Sequence, residues 1–222
     1  MMTLPDMDYL TIALPKGKLF TPAAQMLGKL GFSAPGLAEN SRKLVITNEE
    51  RKVRFVITKT ADLPTYVEYG AADIGIIGKD VLLEEGKDVY ELLDLKFGLC
   101  RLMVAVPQAL KRDKISDYAH MRVATKYPHV AERFFHGMGI QMEIIKLNGS
   151  IELAPMVGLA EIIVDIVETG QTLKENQLLE VAQIHLATAR FIANRVSMKM
   201  KFDRINSLVE DLKILLESEE AP

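Results

Sequence analysis

Short apolar runs alternate along the chain with stretches in which apolar residues recur every three or four positions. Glycine or proline separates most of them. Residues 9–14 form one such run, stopped by Pro15 and Gly17, and predict a strand. In residues 18–30 the apolar positions Leu19, Ala23, Met26, Leu27 and Leu30 keep a helical period that ends at Gly31. Residues 43–47 and 52–58 predict a hairpin around the polar turn 48–51. Asp62 stands in a capping position before a helix that accepts Pro64 in its first turn, runs to residue 69 and closes at Gly70. A strand follows at 73–77, a short helix at 81–85, and strands at 91–96 and 99–106. The last is almost continuously apolar and predicts burial on both faces. Beyond Pro107 come a strand at 121–124, a helix over 130–138 and a strand at 142–147. A helical turn at 151–153, a strand at 161–167, a short helix at 173–176 and a strand at 178–187 complete this part. Residues 188–195 read as the start of the final helical region. There Phe202, Ile205, Leu208, Val209, Leu212, Leu215 and Leu216 form a stripe at helical spacing, the signature of core packing. The acidic tail, 217–222, reads as frayed.

This alternation predicts an α/β fold with a mostly parallel sheet. The shift to polar residues over 107–117 suggests a crossing between lobes. With 222 residues, 49% of them hydrophobic, the chain can bury one large core or two small ones. The net charge of -3 excludes a broadly basic nucleic-acid-binding face, so an anionic ligand needs a local positive cluster. The one cysteine, Cys100, excludes an internal disulfide and, in its apolar setting, reads as a buried thiol. Residues 1–8 lack a basic region followed by an apolar run, and no apolar stretch nears the length of a membrane span. The expectation is therefore a cytoplasmic protein without a membrane partner.

Four segments contain candidate chemistry. The first is residues 161–173, EIIVDIVETGQTL. Asp165 lies inside an apolar strand, where a lone carboxylate is costly unless it is paired or lies near an exposed end. The polar loop of Glu168, Thr169, Gly170, Gln171 and Thr172 follows, offering backbone amides and two hydroxyls ahead of a helix, as a phosphate requires. A plain strand, turn and threonine cap accounts for the same pattern. The second segment sets Lys16, Gly17 and Lys18 between a strand and a helix, where open α/β sheets bind ligands; two solvated lysines are the plainer reading. The third comprises Arg42, Lys43, Arg54 and Lys59 around the hairpin, with Arg42 and Lys43 expected on opposite faces of a strand. The fourth is GAADIGIIG, residues 70–78, in which Gly75 inside a strand predicts close approach of a backbone or ligand. The histidines at 120, 129, 136 and 185 show no metal-binding spacing. No Walker, GxGxxG or GxSxG motif occurs.

Several blocks, in order, carry a resemblance: LTIALPKGKL (10–19), SRKLVI (41–46), DLPTYVEYGAADIGIIGKDVL (62–82), RVATKYPHVAERFF (122–135), LNGSIELAPMVGLAEIIVDIVETGQTLKEN (147–176) and ARFIANRVSMKMK (189–201). Together they closely resemble the catalytic chain of the ATP phosphoribosyltransferases, which catalyse the first step of histidine biosynthesis. The resemblance implies a two-lobed, periplasmic-binding-protein-type (type II) α/β fold with mixed, mostly parallel sheets and an active-site cleft between the lobes. One lobe would hold residues 1–96 with 183–222, the other 97–182. The chain looks like the short family form. That form works with a regulatory subunit resembling histidyl-tRNA synthetase, as a homodimer within a larger hetero-oligomer.

The implied reaction joins N1 of the adenine of ATP to C1 of phosphoribosyl pyrophosphate and releases pyrophosphate. Mg²⁺ would come with the substrate rather than in a protein cage. By motif position, Thr169, Gly170, Gln171 and Thr172 fall to the 5′-phosphate, and Glu168 to phosphoribosyl pyrophosphate. Asp165 and Glu161 fall to the ribose hydroxyls or the Mg²⁺ shell. Lys16, Arg42 and Lys59 fall to pyrophosphate or triphosphate charge, and Gly17, Asp73, Ile74 and Gly75 to the ATP side. The family often has Arg where Lys18 stands and Arg-Pro where Lys59-Thr60 stand. Lysine keeps the charge there without the bidentate fork. Two other classes compete. One is a two-lobed small-anion-binding module without catalysis. The other is a phosphoribosyltransferase of the common type, which places adjacent acidic residues before its loop, whereas Ile166 and Val167 separate Asp165 from Glu168 here.

Overall fold

The computed structural model describes residues 8–220. Residues 1–7 and 221–222, on which the expected leader-free N-terminus and the end of the acidic tail fall, lie outside the described residues. The chain divides into two compact units, Met1–Gly98 with Thr188–Pro222, and Leu99–Ala187. The expected divisions stood at 96/97 and 182/183. The second moves because residues 178–187 form one unbroken strand. The polar stretch 107–117 lies inside the second unit and is not a crossing.

The first unit starts with β1 (Leu10–Pro15), buried at every position, as befits a strand covered on both faces. It continues through α1 (Phe20–Lys29), the hairpin β2 (Val45–Asn48) and β3 (Val53–Thr58), α2 (Leu63–Glu68), β4 (Ile74–Gly78), α3 (Lys79–Glu85) and β5 (Tyr90–Asp94). Asp62 makes no capping bond. It lies in a 3-10 turn with helical dihedrals, whereas an N-cap needs extended backbone.

The second unit comprises β6 (Cys100–Pro107), β7 (Arg122–Thr125), α4 (Pro128–Gly137), β8 (Glu143–Lys146), α5 (Leu153–Met156), β9 (Ile162–Val167), α6 (Gln171–Glu175) and β10 (Leu178–Ala187). Cys100, expected to be buried, is partly exposed because it opens β6 beside the exposed Leu99.

The chain then returns to the first unit as β11 (Ala189–Ala193), α7 (Arg195–Met200) and α8 (Phe202–Glu220). Residues 188–195 were expected to be helical. Residues 189–193 form a strand instead, because a short segment with four apolar residues in five satisfies either period, and the open slot beside β4 decides. Residues 217–220, expected to be frayed, continue α8.

The sheets run β2-β3-β1-β4-β11-β5 and β10-β6-β9-β7-β8. The α/β class holds, but the parallel share is smaller than expected. Among the described residues four of nine pairings are parallel, β1 with β3 and β4, and β7 with β8 and β9. The hairpin, β10 and the returning β11 supply antiparallel ones. In the first unit, α1 and α8 cover one face through Phe20, Leu27, Ile205, Leu208 and Leu212. On the other face Leu63 and Val67 of α2 pack with Ala13 and Ile77. A Cβ on Gly75 would stand 2.8 Å from Leu63 Cδ2 and 3.0 Å from Val67 Cγ2. The close approach predicted there is that of α2, not of a ligand.

A buried ion pair ties the end of this unit to its start. Lys201 Nζ donates to Asp73 Oδ2 at 2.8 Å and to the Tyr9 carbonyl at 2.6 Å. The same carboxylate accepts the Thr11 amide and the Ser197 hydroxyl. Removing one partner of such a pair strands the other charge. Asp73→Ala is expected to lower unfolding stability in urea by about 3–5 kcal/mol, and the added change Lys201→Met to recover a large part of it. Equal losses for the single and double variants would show that the pairing is not the cause.

Candidate active site

In the first unit, the carboxyl ends of the parallel strands collect the basic residues. The Lys16 amide bonds the Thr58 carbonyl at 2.8 Å, and the Thr60 hydroxyl bonds the Lys16 carbonyl at 3.1 Å. Lys16 and Lys59 are therefore neighbours just beyond β1 and β3. The antiparallel β2 brings its amino end to the same edge, with the Ile57 amide on the Leu44 carbonyl at 2.8 Å. Arg42 lies two residues beyond that contact. Arg42 and Lys43 precede β2 rather than lying within it, so strand alternation does not separate them as expected. Lys16, Arg42 and Lys59 are all exposed. No atom lies within 4 Å of a Cβ built on Gly17, so backbone there faces open space. The edge is a cluster of cations on loop backbone, suited to a polyanion.

In the second unit, the carboxyl ends of β7, β8 and β9 form the corresponding edge. Asp165 lies in β9 directly opposite Met103 of β6. One of its oxygens accepts the Ile166 amide at 2.8 Å. Burial, reinforced by the nearby Glu152 charge, pushes the Asp165 carboxyl up to about 6, against the opposing pull of that amide and of Lys126. The loop of Glu168, Thr169 and Gly170 follows Val167 and leads into α6, with Glu168 and Thr169 exposed and Gly170 half-buried. Gly170 has φ +79°, a left-handed conformation that side chains disfavour. The Thr169 hydroxyl accepts the Gln171 amide at 3.4 Å, and the Gln171 and Thr172 side chains are exposed. Because α6 has five residues, loop amides and hydroxyls, more than a helix dipole, would hold an anion here.

Not every expected site residue reaches these edges. Glu161 precedes β9, a whole strand away from the loop, and is spent on Arg122. Its carboxylate accepts the Arg122 amide at 2.9 Å and the guanidinium at 3.2 Å. Those bonds hold its carboxyl down at about 2. At roughly 3.3 Å per residue, a six-residue strand separates the two ends by about 20 Å. Asp73 likewise sits at the amino end of β4 in its pair with Lys201, Ile74 is core, and Gly75 is packed under α2. None of the four faces an open strand edge, because strands carry their ligand-facing ends at one terminus only.

Sequence reading missed Lys126 and Glu152, which flank Asp165 electrostatically, and the buried Thr125. The Thr125 hydroxyl donates to the Val164 carbonyl at 2.6 Å and accepts the Tyr127 amide at 2.9 Å, fixing the turn after β7. The β7–β9 register places Lys126 beside Asp165, and no local pattern announces that neighbour. Among the described residues no group of three or more His, Cys, Asp or Glu side chains converges as a metal cage. The donor set at the loop suits a divalent cation only as a companion of a polyanionic ligand, with Asp165 as the protein carboxylate. No helix among the described residues is long and apolar enough to cross a membrane.

A family model described as HisG, ATP phosphoribosyltransferase, matches residues 59–214. The ATP phosphoribosyltransferase of Syntrophotalea carbinolica is 53% identical over 210 residues, covering 94% of this chain and 96% of that protein. That of Geobacter metallireducens is 53% identical over 207 residues, covering 93% and 98%. The solved ATP phosphoribosyl transferase (HisG:HisZ) complex from Thermotoga maritima matches with a TM-score of 0.81 at 33% identity, over 94% of this chain and 99% of that one. The periplasmic aliphatic sulphonate binding protein of Escherichia coli matches with a TM-score of 0.62 at 13% identity, over 96% and 75%, a likeness of fold alone. The expected periplasmic-binding-protein-type fold is met.

The raised Asp165 carboxyl has a stability consequence with a definite sign. The folded chain holds this proton more tightly than the unfolded chain, so stability is lost as pH rises from about 4 through about 6, and the whole cost is present above that. Asp165→Asn is expected to stabilise the protein in urea by about 2 kcal/mol at pH 8, with the gain vanishing near pH 4. A gain of the same size at both pH values would refute the linkage.

Proposed function

The chain belongs to the ATP phosphoribosyltransferase family, the enzymes of the first step of histidine biosynthesis, and we propose that its chemistry runs on the two strand edges just described. It condenses ATP with phosphoribosyl pyrophosphate, a pentosyl transfer that yields phosphoribosyl-ATP and pyrophosphate. The bond from C1 to the pyrophosphate oxygen breaks, its electron pair leaving with pyrophosphate, while adenine N1 bonds C1 with inversion. Adenine N1 is a modest nucleophile, so the rate depends on alignment and on stabilising charge as the leaving group departs.

One observation carries the assignment of roles. Asp165 is a carboxylate that burial makes costly, placed in an apolar strand four residues before a Thr-Gly-Gln-Thr loop whose Thr169, Gln171 and Thr172 are exposed. Packing alone gives no reason to keep it there. In this reading Thr169, Gly170, Gln171 and Thr172 hold the 5′-phosphate, and Glu168 at their start contacts phosphoribosyl pyrophosphate elsewhere. Asp165 takes the ribose hydroxyls, and its charge favours the oxocarbenium-like sugar. Lys16, Arg42 and Lys59, with Gly17 offering bare backbone, meet pyrophosphate and triphosphate charge. A Mg²⁺ ion arriving with the substrate would neutralise leaving-group charge, with Asp165 as its protein contact.

The likeness to the Thermotoga HisG:HisZ complex supports assembly with a regulatory subunit. In this reading that subunit resembles histidyl-tRNA synthetase and the chain forms a homodimer within the hetero-oligomer. Histidine biosynthesis supports a cytoplasmic location. The likeness to solute-binding proteins concerns fold only and does not favour a binding module.

Pyrophosphate release from ATP and phosphoribosyl pyrophosphate, followed with and without the regulatory subunit, tests the reading. Asp165→Asn is expected to reduce turnover about 100-fold or more while the chain stays folded. Gly170→Val is expected to raise the KM for phosphoribosyl pyrophosphate about tenfold and leave that for ATP unchanged. Near-normal turnover of the first variant removes Asp165 from the site, and an unchanged KM in the second removes the loop.

A further inference from the structure

A second charged pair lies on the Asp165 face of the second sheet, and none of the roles above uses it. In the antiparallel register of β6 and β9, Met103 stands opposite Asp165 and Arg101 opposite Val167. Residues two apart on a strand share a face, so Arg101, Met103 and Asp165 lie on the same side. There the Arg101 guanidinium passes Met103 Sδ at 3.9 Å and grips Glu180 of β10 with both arms, Nη1 to Oε2 at 2.7 Å and Nη2 to Oε1 at 2.9 Å. The same Glu180 Oε1 lies 3.6 Å from where a Cβ on Gly170 would stand. The carboxylate is therefore pressed against the loop that leads into α6, and α6 packs over β10.

A carboxylate directly beneath a phosphate-holding loop presents a physical problem. Glu180 is exposed, so water weakens the repulsion, but two anions a few ångströms apart lie well inside a Debye length and still repel. Bidentate arginine matches a carboxylate's geometry and cancels its charge where it stands. We propose that Arg101 is a positioning residue for phosphoribosyl pyrophosphate: gripped by Glu180, it neutralises the floor of the loop at residues 169–172 and lets a sugar phosphate settle there. This rests on the assignment of that loop to the 5′-phosphate and goes beyond it by naming what makes the loop electrostatically usable. A mere brace between β6 and β10 would affect stability and both substrates alike. A neutralising pair affects the phosphorylated sugar alone, and only while Glu180 keeps its charge.

Calorimetric titration of the full chain with phosphoribosyl pyrophosphate and, separately, with ATP tells these apart, with thermal melts confirming folding. Arg101→Met is expected to weaken phosphoribosyl pyrophosphate binding about tenfold or more while ATP binding changes less than about twofold. Adding Glu180→Gln should restore binding to within about threefold of the unaltered chain, and Glu180→Gln alone should leave it equal or tighter. If Arg101→Met does not fold, Arg101→Lys keeps the charge without the fork, and a loss of about threefold confined to phosphoribosyl pyrophosphate is the expected result. Equal losses for both substrates, no loss, or a double variant no better than Arg101→Met would overturn the proposal. Gly170→Val in the same titration separates the layers. If it leaves binding unchanged, the loop assignment itself fails. If it weakens binding while Arg101→Met does not, only the role of Arg101 fails.

Discussion

The first sheet cannot be completed until the chain has built the whole second unit and come back. β11 enters between β4 and β5, antiparallel to both, so two strands joined by about a dozen residues meet only through a third that arrives some hundred residues later. The return is fastened at its start, where the Ala189 amide bonds the Phe97 carbonyl and the Leu95 amide bonds the Ala189 carbonyl. It is fastened again just past its end. The Asn194 side chain caps α7 through the Val196 and Ser197 amides and donates to the Val67 and Glu68 carbonyls at the end of α2. Ser197 and Lys201 then close on Asp73, and α8 lays Ile205, Leu208 and Leu212 over the sheet.

That closure leaves the opposite ends of the parallel strands free. Asp73 and Lys201 close the amino end of β4, which is why the acidic residue of an attractive glycine-rich segment is structural. Lys16 and Lys59 stand at the carboxyl ends, held by backbone bonds that leave their side chains exposed. The second unit repeats the arrangement with different chemistry. Glu161 and Arg122 lock the amino ends of β7 and β9, and Asp165 and its loop occupy the carboxyl end. In both units a carboxylate paired at the amino end is spent on the fold. The one left poorly compensated, Asp165, lowers stability at neutral pH and is the one on which the proposed chemistry draws.

The net charge of the chain is slightly negative, yet its substrates are polyanions. The conflict is resolved locally. Three exposed cations share one strand edge in the first unit, and in the second unit the Arg101 guanidinium pairs with the Glu180 carboxylate beside Gly170. Arrangement, and not overall charge, sets the potential that a ligand meets.

Most of the elements were legible in the chain itself, because apolar period and Gly or Pro punctuation are local signals. The hairpin, the strands β1 and β9, the burial of β6 and the loop around Gly170 all follow from neighbouring residues. So does the family, since several motif blocks recur in order. What the sequence could not determine is everything that depends on strand order. A short, mostly apolar segment such as Ala189-Arg190-Phe191-Ile192-Ala193 fits a helix or a strand, and only the slot between β4 and β5 chose. Glu161 and Asp165 look alike as acids on one strand, as do Asp73 and its glycine neighbours beside a ligand edge. Tertiary pairing with Arg122 and Lys201 assigned Glu161 and Asp73 to the fold. Lys126 beside Asp165, and Arg101 with Glu180 beneath Gly170, lie far apart in the chain and meet only through register. Local patterning determines which residues can form an element; the three-dimensional order of those elements decides which charges face each other, and so which of them are left for substrate.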